Sequence, residues 1–351
     1  TPIVGGSAIG LITNDHLLYE GYPAGAAVIQ LDGIRCEVAS EGGLDKGAVQ
    51  VGKNIANRLS KELDGKLMLV FYDSIKIPAT KSSPPVMNAS PLLIGGLEAT
   101  LSPNIPIVGA GLLGDFGFGR TRQFCGFSVS EQSAVGVMLG GDLEPYYRIM
   151  HGCVPKDGIY YRITKIDGPV IYEVDGQPIV EVIDKMFGNE TWRSQMPVKR
   201  LAIGVNKGEK YQEYKEGEYI NRLICGVLPD GGGIIIFEPD LEEDAEIQFM
   251  LRDTDQMIKS VKKNSIDLLD KIEADGGKAV LGLYIDCAGR SAGLSDTLTE
   301  EASEVQKVFN SNGVPLLGFY SGVEIAPLLG RSRGLDWTGV LLVFAKRLKY
   351  A

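Results

Sequence analysis

A four-residue phrase that returns three times does most to limit the folds open to this chain. Pro2-Ile3-Val4-Gly5, Pro106-Ile107-Val108-Gly109 and Pro315-Leu316-Leu317-Gly318 each open a glycine-containing loop. Each copy is followed by an apolar run: Ala26 to Leu31, Ser133 to Leu139 and Thr338 to Phe344. The second and third copies also share what precedes them. Asp64-Gly65-Lys66 leads into the run Leu67 to Tyr72, and Asp275-Gly276-Gly277-Lys278 leads into Ala279 to Ile285. Short aliphatic and aromatic runs bounded by turn residues predict buried strands.

Between that strand and the repeated phrase a helix is expected. In the third copy Thr297 and Glu300 have capping-box spacing, and Leu298, Ala302, Val305 and Phe309 recur at helical intervals. In the second copy the helix would run from Pro91 to Leu101 and is apolar all round. The unit is therefore strand, helix, Pro-x-x-Gly strand, long loop, strand. No leading strand or helix stands ahead of Pro2, which predicts that residue 1 lies inside a unit. Two further stripes predict helices ahead of the strands at 67 and 279: Ala48, Val51, Ile55, Leu59 and Leu63, and Ile258, Val261, Ser265, Leu269 and Ile272. Between Tyr160 and Val182, strand-like runs alternate around Asp167-Gly168 and Asp175-Gly176, which read as hairpin turns.

These patterns predict an α/β fold, with α+β as the alternative: two related domains of repeated strand-helix-strand-strand units, forming mixed sheets covered by helices. A polar stretch from Gly188 to Pro197 separates an expected domain over 1–190 from one over 197–348.

Composition narrows the function. Glycine supplies 45 of 351 residues, well above the usual ~7%, but with no collagen period or disorder bias, so it belongs to turns and close approaches. Two histidines cannot build a three-His zinc site, and a net charge of −10 lacks the basic stripe that nucleic acid requires. Five cysteines, at 36, 125, 153, 225 and 287, are widely spaced with no Cys-x-x-Cys pair, which predicts reduced thiols and a cytoplasmic location. The least charged stretch, Ala89 to Gly114, is broken by Pro91, Glu98, Pro103 and Pro106, so no membrane span is expected there.

Three clusters could carry chemistry. Gly109, Gly111 and Gly114 have the spacing of a dinucleotide loop, but a loop on which Asp115 and Arg120 face a small polar ligand fits better, or else a close-packed turn with an Asp–Arg pair. Asp286-Cys287-Ala288-Gly289-Arg290 falls where a buried strand ends, a usual place for ligand contacts in α/β proteins. Cys287 there is either a buried inert thiol or a nucleophile stabilised by Arg290. Gly318-Phe319-Tyr320-Ser321-Gly322-Val323-Glu324 supplies a tyrosine, a serine and a carboxylate for a polar pocket wall. The acidic run from Glu238 to Glu246 reads as a solvated turn and strand without a calcium-loop pattern. His151 is either structural or a haem ligand.

In these phrases the chain resembles the FIST family, the sensory module of F-box and intracellular signal-transduction proteins. An amino-terminal FIST half resembles Pro2 to about Phe187, through Pro2 to Gly10, Val108 to Asp115, Gly152-Cys153-Val154-Pro155 and Glu173 to Pro178. A carboxy-terminal half resembles Pro197 to Arg347, through Asp286 to Arg290 and Gly318 to Pro327. The chain departs from the family pattern at Val323, commonly a second glycine, and at Asp336-Trp337-Thr338. The resemblance implies a cytoplasmic signal-input protein that binds a small ligand such as an amino acid and is coupled to a kinase, cyclase or ubiquitin ligase. Haem in some relatives keeps a nitric oxide sensor through His151 as an alternative, and a Cys287-dependent enzyme is a second. The expected polar wall is Asp115, Arg120, Arg290, Tyr320 and Glu324, with Gly109, Gly111, Cys287 and Ser321 beside it. A zwitterion needs one cationic and one anionic partner, and these residues supply both. Otherwise no cofactor, nucleic acid or membrane is expected.

Overall fold

The structure, a computed structural model, describes residues 2–30, 33–59, 64–80, 85–295 and 297–347. Thr1, Leu31, Leu63 and Leu348, which the expectations above include, lie outside the described residues.

The second and third copies fold as the repeat predicts. In the second, the strand Gly65–Asp73 is followed by the helix Ser90–Glu98 and the strand Ile107–Leu112, which pairs with it in parallel. The last strand of that unit, Ser133–Gly141, pairs antiparallel on the other edge. In the third copy Gly277–Cys287, the helix Ala302–Ser311, Leu316–Ser321 and Gly339–Arg347 repeat the same order and the same orientations. Alternation along the central strands sorts the cores. Leu67, Leu69 and Phe71, with Leu281, Leu283 and Ile285, face a shared apolar centre, whereas Met68, Val70 and Tyr72 face helices. Those helices are Leu44–Leu59 and Ser90–Glu98 on one sheet; Thr254–Ala274 and Ala302–Ser311 cover the other.

Each copy also carries a hairpin, and the copies exchange hairpins in a cycle. The hairpin of Leu11–Thr13 and Leu17–Leu18, from the first copy, pairs with Leu316–Ser321 of the third. The third copy's hairpin, Val323–Leu328 and Arg331–Leu335, pairs with Ile107–Leu112 of the second. The second copy's hairpin, Gln123–Cys125 and Ser128–Ser130, pairs with Val4–Gly6 of the first. Two of the resulting sheets have six strands; the one built on Val4–Gly6 has three.

A separate barrel closes through the strands Tyr161–Asp167, Val170–Val174, Ile234–Ile236, Tyr219–Val227, Leu201–Asn206 and Glu246–Arg252. Both predicted hairpin turns are in it, at Asp167-Gly168 and Asp175-Gly176. Strands on both sides of residues 188–197 contribute to this one barrel.

Three local expectations need correction. Residues 24–30 form no strand, because no neighbouring strand is there to pair with them among the described residues. The helix of the third copy starts at Ala302, its predicted capping box is not made, and Leu298 is fully exposed. Glu300 is drawn away by tyrosines, as described below. The acidic run is not wholly solvated either: Glu238 is buried and accepts a 2.7 Å bond from Ser90 Oγ.

Candidate functional site

The third copy crosses from one six-stranded sheet to the other between Ser321 and Val323, and the buried polar residues gather at that crossing. Parallel register sets Asp286 beside Tyr320 and Cys287 beside Ser321. Just beyond, Val323 and Ile325 pair with Gly111 and Gly109, and Gly322 N–H donates to Gly111 O at 2.8 Å. Gly109 and Gly111 are thus strand residues. A Cβ on Gly109 would lie 1.8 Å from Val70 O, so the close pairing there admits only glycine. No helix follows Gly114; the next element is the strand Gln123–Cys125, which removes the dinucleotide reading. Asp115 and Arg120 sit apart on an exposed loop and do not pair with each other. Asp115 accepts from Gly119 N–H at 3.0 Å, and Arg120, 74% exposed, bridges to Glu131 at 3.2 Å.

Arg290 is fully buried and fully engaged. Its Nε donates to Asp286 at 3.1 Å and Glu301 at 2.7 Å, Nη2 to Glu301 at 2.6 Å, and Nη1 to the carbonyls of His151 and Trp337 at 2.8 and 2.9 Å. Burial opposes its charge, but Glu301 and Asp286 hold it charged. Asp286 is pushed well above the carboxylate range, first by burial and then by Glu301. Tyr320 gives its hydroxyl to Glu300 at 3.0 Å; Tyr19 donates to the same carboxylate at 2.6 Å. Glu324 accepts from Ser321 Oγ at 2.7 Å, and burial raises it well above its ordinary value.

A second arginine enters from the barrel. Arg252 ends the strand Glu246–Arg252, and its guanidinium carbon lies 3.5 Å from the Trp337 ring centroid. It donates to the carbonyls of Lys199 at 2.5 Å and Gly289 at 3.4 Å, but its buried Nε has no partner. Among the described residues no carboxylate forms an ion pair with it, and burial lowers its pKa to about 10. Trp337 has a positive φ of 55°, rare for an aromatic residue, and its Nε1 is also unpartnered. Its ring packs so closely on Gly289 that a Cβ there would meet it at 2.1 Å. Asp286 Oδ2, Glu324 Oε2 and Asp336 Oδ1 complete a set of buried atoms without partners. Such atoms are uncommon, and each costs about 1–3 kcal/mol.

Cys287 lies in the same apolar cluster as Trp337 and Cys153. Burial pushes its thiol well above the ordinary value, although Gly289 and Trp337 N–H groups point at the sulfur. That is the reverse of an activated nucleophile. His151 is buried, with Nδ1 accepting from Cys153 N–H at 3.0 Å and Nε2 at 2.9 Å from Glu216 O. Nε2 therefore carries the proton and donates, so the residues around His151 do not present a nitrogen that fits haem iron. Among the described residues, no group of three or more His, Cys, Asp or Glu could hold a metal, and no helix is long and apolar enough to cross a membrane.

The sequence reading found Arg290, Cys287, Tyr320, Ser321 and Glu324 but passed over Arg252. Its only local signal is a basic residue at a strand end, followed at once by the helix cap Asp253. A separate hollow of about 500 Å³, away from this polar cluster, is lined by Leu11, Leu18, Val28, Leu281, Pro315 and Leu317, among others.

Comparison with known proteins matches the FIST N domain over residues 1–177 and the FIST C domain over 180–327. The uncharacterized protein Rv0628c of Mycobacterium tuberculosis is 29% identical over 257 residues, which are 73% of this chain and 64% of that protein. The uncharacterized protein Mb0898c of Mycobacterium bovis is 27% identical over 246 residues, 69% of this chain and 61% of that one. The uncharacterized protein MJ1623 of Methanocaldococcus jannaschii is 24% identical over 319 residues, 87% and 57% of the two chains. The chain thus spans less than two thirds of the length of these curated relatives.

Proposed function

This chain belongs to the FIST family, whose FIST N and FIST C domains are sensory domains of signal transduction, and from that premise we propose that it is an input module for a small zwitterionic ligand such as an amino acid. The observation that carries this reading is Arg252: a guanidinium laid on Trp337, with a buried unpartnered Nε and no carboxylate of its own. A ligand carboxylate supplies the missing anion through a charge-assisted bond. Glu324 and Asp286, each with an unpartnered oxygen, suit a ligand ammonium group. The cation proposed for the ligand is therefore Arg252 in place of Arg290, which protein carboxylates already neutralise.

The output partner is proposed to be a signalling protein such as a kinase or cyclase, and the net charge of −10 favours a basic face on it. A thermal-shift screen tests the ligand reading with amino acids, simple amines and simple carboxylates. At a hundredfold excess over Kd, binding adds about 2.7 kcal/mol, a rise of roughly 4 °C for a protein of this size. An amino acid should produce it, neither half-molecule should match it, and Arg252→Met should remove it. A screen without any zwitterionic hit contradicts the proposal.

A further inference from the structure

Asn221 is 1% exposed, and neither its amide oxygen nor its amide nitrogen has a hydrogen-bond partner. Among the described residues it is the one buried side chain with both a donor and an acceptor unpaired. An apolar residue of similar size would remove both costs, so the amide is unexplained by the fold alone.

Strand register places this amide on the wall that carries Arg252. Ala202 pairs with Leu223 on one side and with Met250 on the other. All three belong to or pack against the buried cluster around Trp337 and Cys287, whereas Ile203, Ile220 and Phe249 face the apolar interior. Side chains alternate along a strand, so Asn221, two residues from Leu223, and Arg252, two residues from Met250, share the face toward Trp337. They flank the row Leu223, Ala202, Met250 from opposite sides, with backbones on the order of 15 Å apart at strand spacings. An arginine and an asparagine side chain can share that span with a molecule the size of an amino acid. The residue opposite Asn221 is Gly204, which sets no side chain beside it. Polar groups on either side are already used: Tyr219 Oη donates to Gln248 Oε1 at 2.9 Å, and Leu223 N–H donates to Asp336 Oδ2 at 2.8 Å.

We propose that Asn221 reads the side chain of the ligand, and that the ligand is an amino acid with a terminal carboxamide, of the glutamine or asparagine type. The inference rests on the ligand reading above, in which Arg252 takes the α-carboxylate. A carboxamide presents a donor and an acceptor together, so it satisfies both atoms of Asn221 through a pair of hydrogen bonds. The isosteric carboxylate of glutamate serves Nδ2 but sets a negative oxygen against Oδ1. An ammonium side chain serves Oδ1 and leaves Nδ2 unpaired, and a thioether chain serves neither well. Each buried polar atom left unpaired lowers affinity by roughly tenfold or more, and a site built to bond a polar group rejects an analogue that lacks it.

Titration with glutamine, asparagine, glutamate, lysine, methionine and propionamide tests the inference on the chain itself, on Asn221→Leu and on Arg252→Met. Glutamine or asparagine should bind at least tenfold tighter than the other three amino acids. Asn221→Leu should erase that difference, and Arg252→Met should abolish amino acid binding. The side-chain amide resonances of Asn221 should shift in step with saturation, which those of a merely structural asparagine would not do. Ligand-free Asn221→Leu should melt at or above the temperature of the parent chain, because two unpaired buried atoms are gone, so lost discrimination is separable from lost folding. Amino acids bound without preference for the carboxamide, or a preference that survives Asn221→Leu, overturn this inference and leave the Arg252 reading standing. Propionamide that shifts the Asn221 amide while no zwitterion binds supports the role of Asn221 and overturns the zwitterion reading. Binding of neither overturns both.

Discussion

Arg290 and Arg252 lie beside the same tryptophan and have opposite surroundings. Arg290 donates to the Trp337 carbonyl and is neutralised by Asp286 and Glu301, with every nitrogen engaged. Arg252 lies on the Trp337 ring, is held by two carbonyls and the Met257 sulfur, and has an Nε without a partner. Burial, with Arg290 adding to it, lowers the second arginine's pKa and fails to lower the first, because only the first forms ion pairs with carboxylates. A buried cation complete within the protein is part of the fold. The proposed function gives the one left incomplete an anion of the ligand.

The sharpest way to break the comparison is to remove each cation. Arg290→Met leaves Asp286 and Glu301 buried without their cation and should cost about 3–5 kcal/mol. Arg252→Met strands no charge and should cost about 1 kcal/mol or less, chiefly the lost contact with the indole ring. Urea denaturation of both variants reads the difference; equal losses would erase the distinction.

Acidity comes next in size. Burial, ahead of their mutual repulsion, raises Glu238 to about 8, and burial raises Asp336 to about 6. Both folded values stand above the ordinary carboxylate range, so the folded state holds protons that the unfolded state has released. Stability should therefore decline as pH rises from about 4.5 toward 8 and level off above that. Glu238→Gln should flatten much of the decline, and denaturation midpoints across that range measure it.

Smaller still is the expected effect of Asp286→Asn. Burial and Glu301 push its carboxyl well above the carboxylate range, and the amide keeps an oxygen to accept from Arg290 Nε, so the change should cost about 1 kcal/mol, well below Glu301→Gln, which removes the carboxylate that accepts from two nitrogens of Arg290. The smallest effect is kinetic: Cys287 should alkylate far more slowly in the folded protein than in urea, since burial holds its thiol protonated. Fast labelling would return the nucleophile reading to the site.

Local pattern carried the sequence reading through both complete copies. Asp64-Gly65-Lys66 and Asp275 to Lys278, with the apolar runs behind them, specify strands because burial on both faces demands such runs. The polar set Asp286, Arg290 and Glu324 was also legible, since acidic and basic residues at the ends of buried strands are conspicuous. What a charge is paired with is not local. Glu301 neutralises Arg290 across 11 residues, and Arg252 is distinguished by a partner it lacks, which no neighbouring residue records. The hairpin exchange was hidden for a related reason: Leu11 pairs with Phe319, and nothing near either residue names the other. Thr297 and Glu300 misled because a capping box competes with tertiary bonds, and Tyr19 and Tyr320 won the carboxylate.

The central claim, that Arg252 and not Arg290 meets the ligand, is tested most directly by the arginine Nε–H resonances of isotopically labelled protein during titration with a zwitterion that raises its melting temperature. The account predicts that the Arg252 resonance moves in step with saturation while that of Arg290 stays in place. A saturating ligand that moves Arg290 and leaves Arg252 unshifted contradicts it.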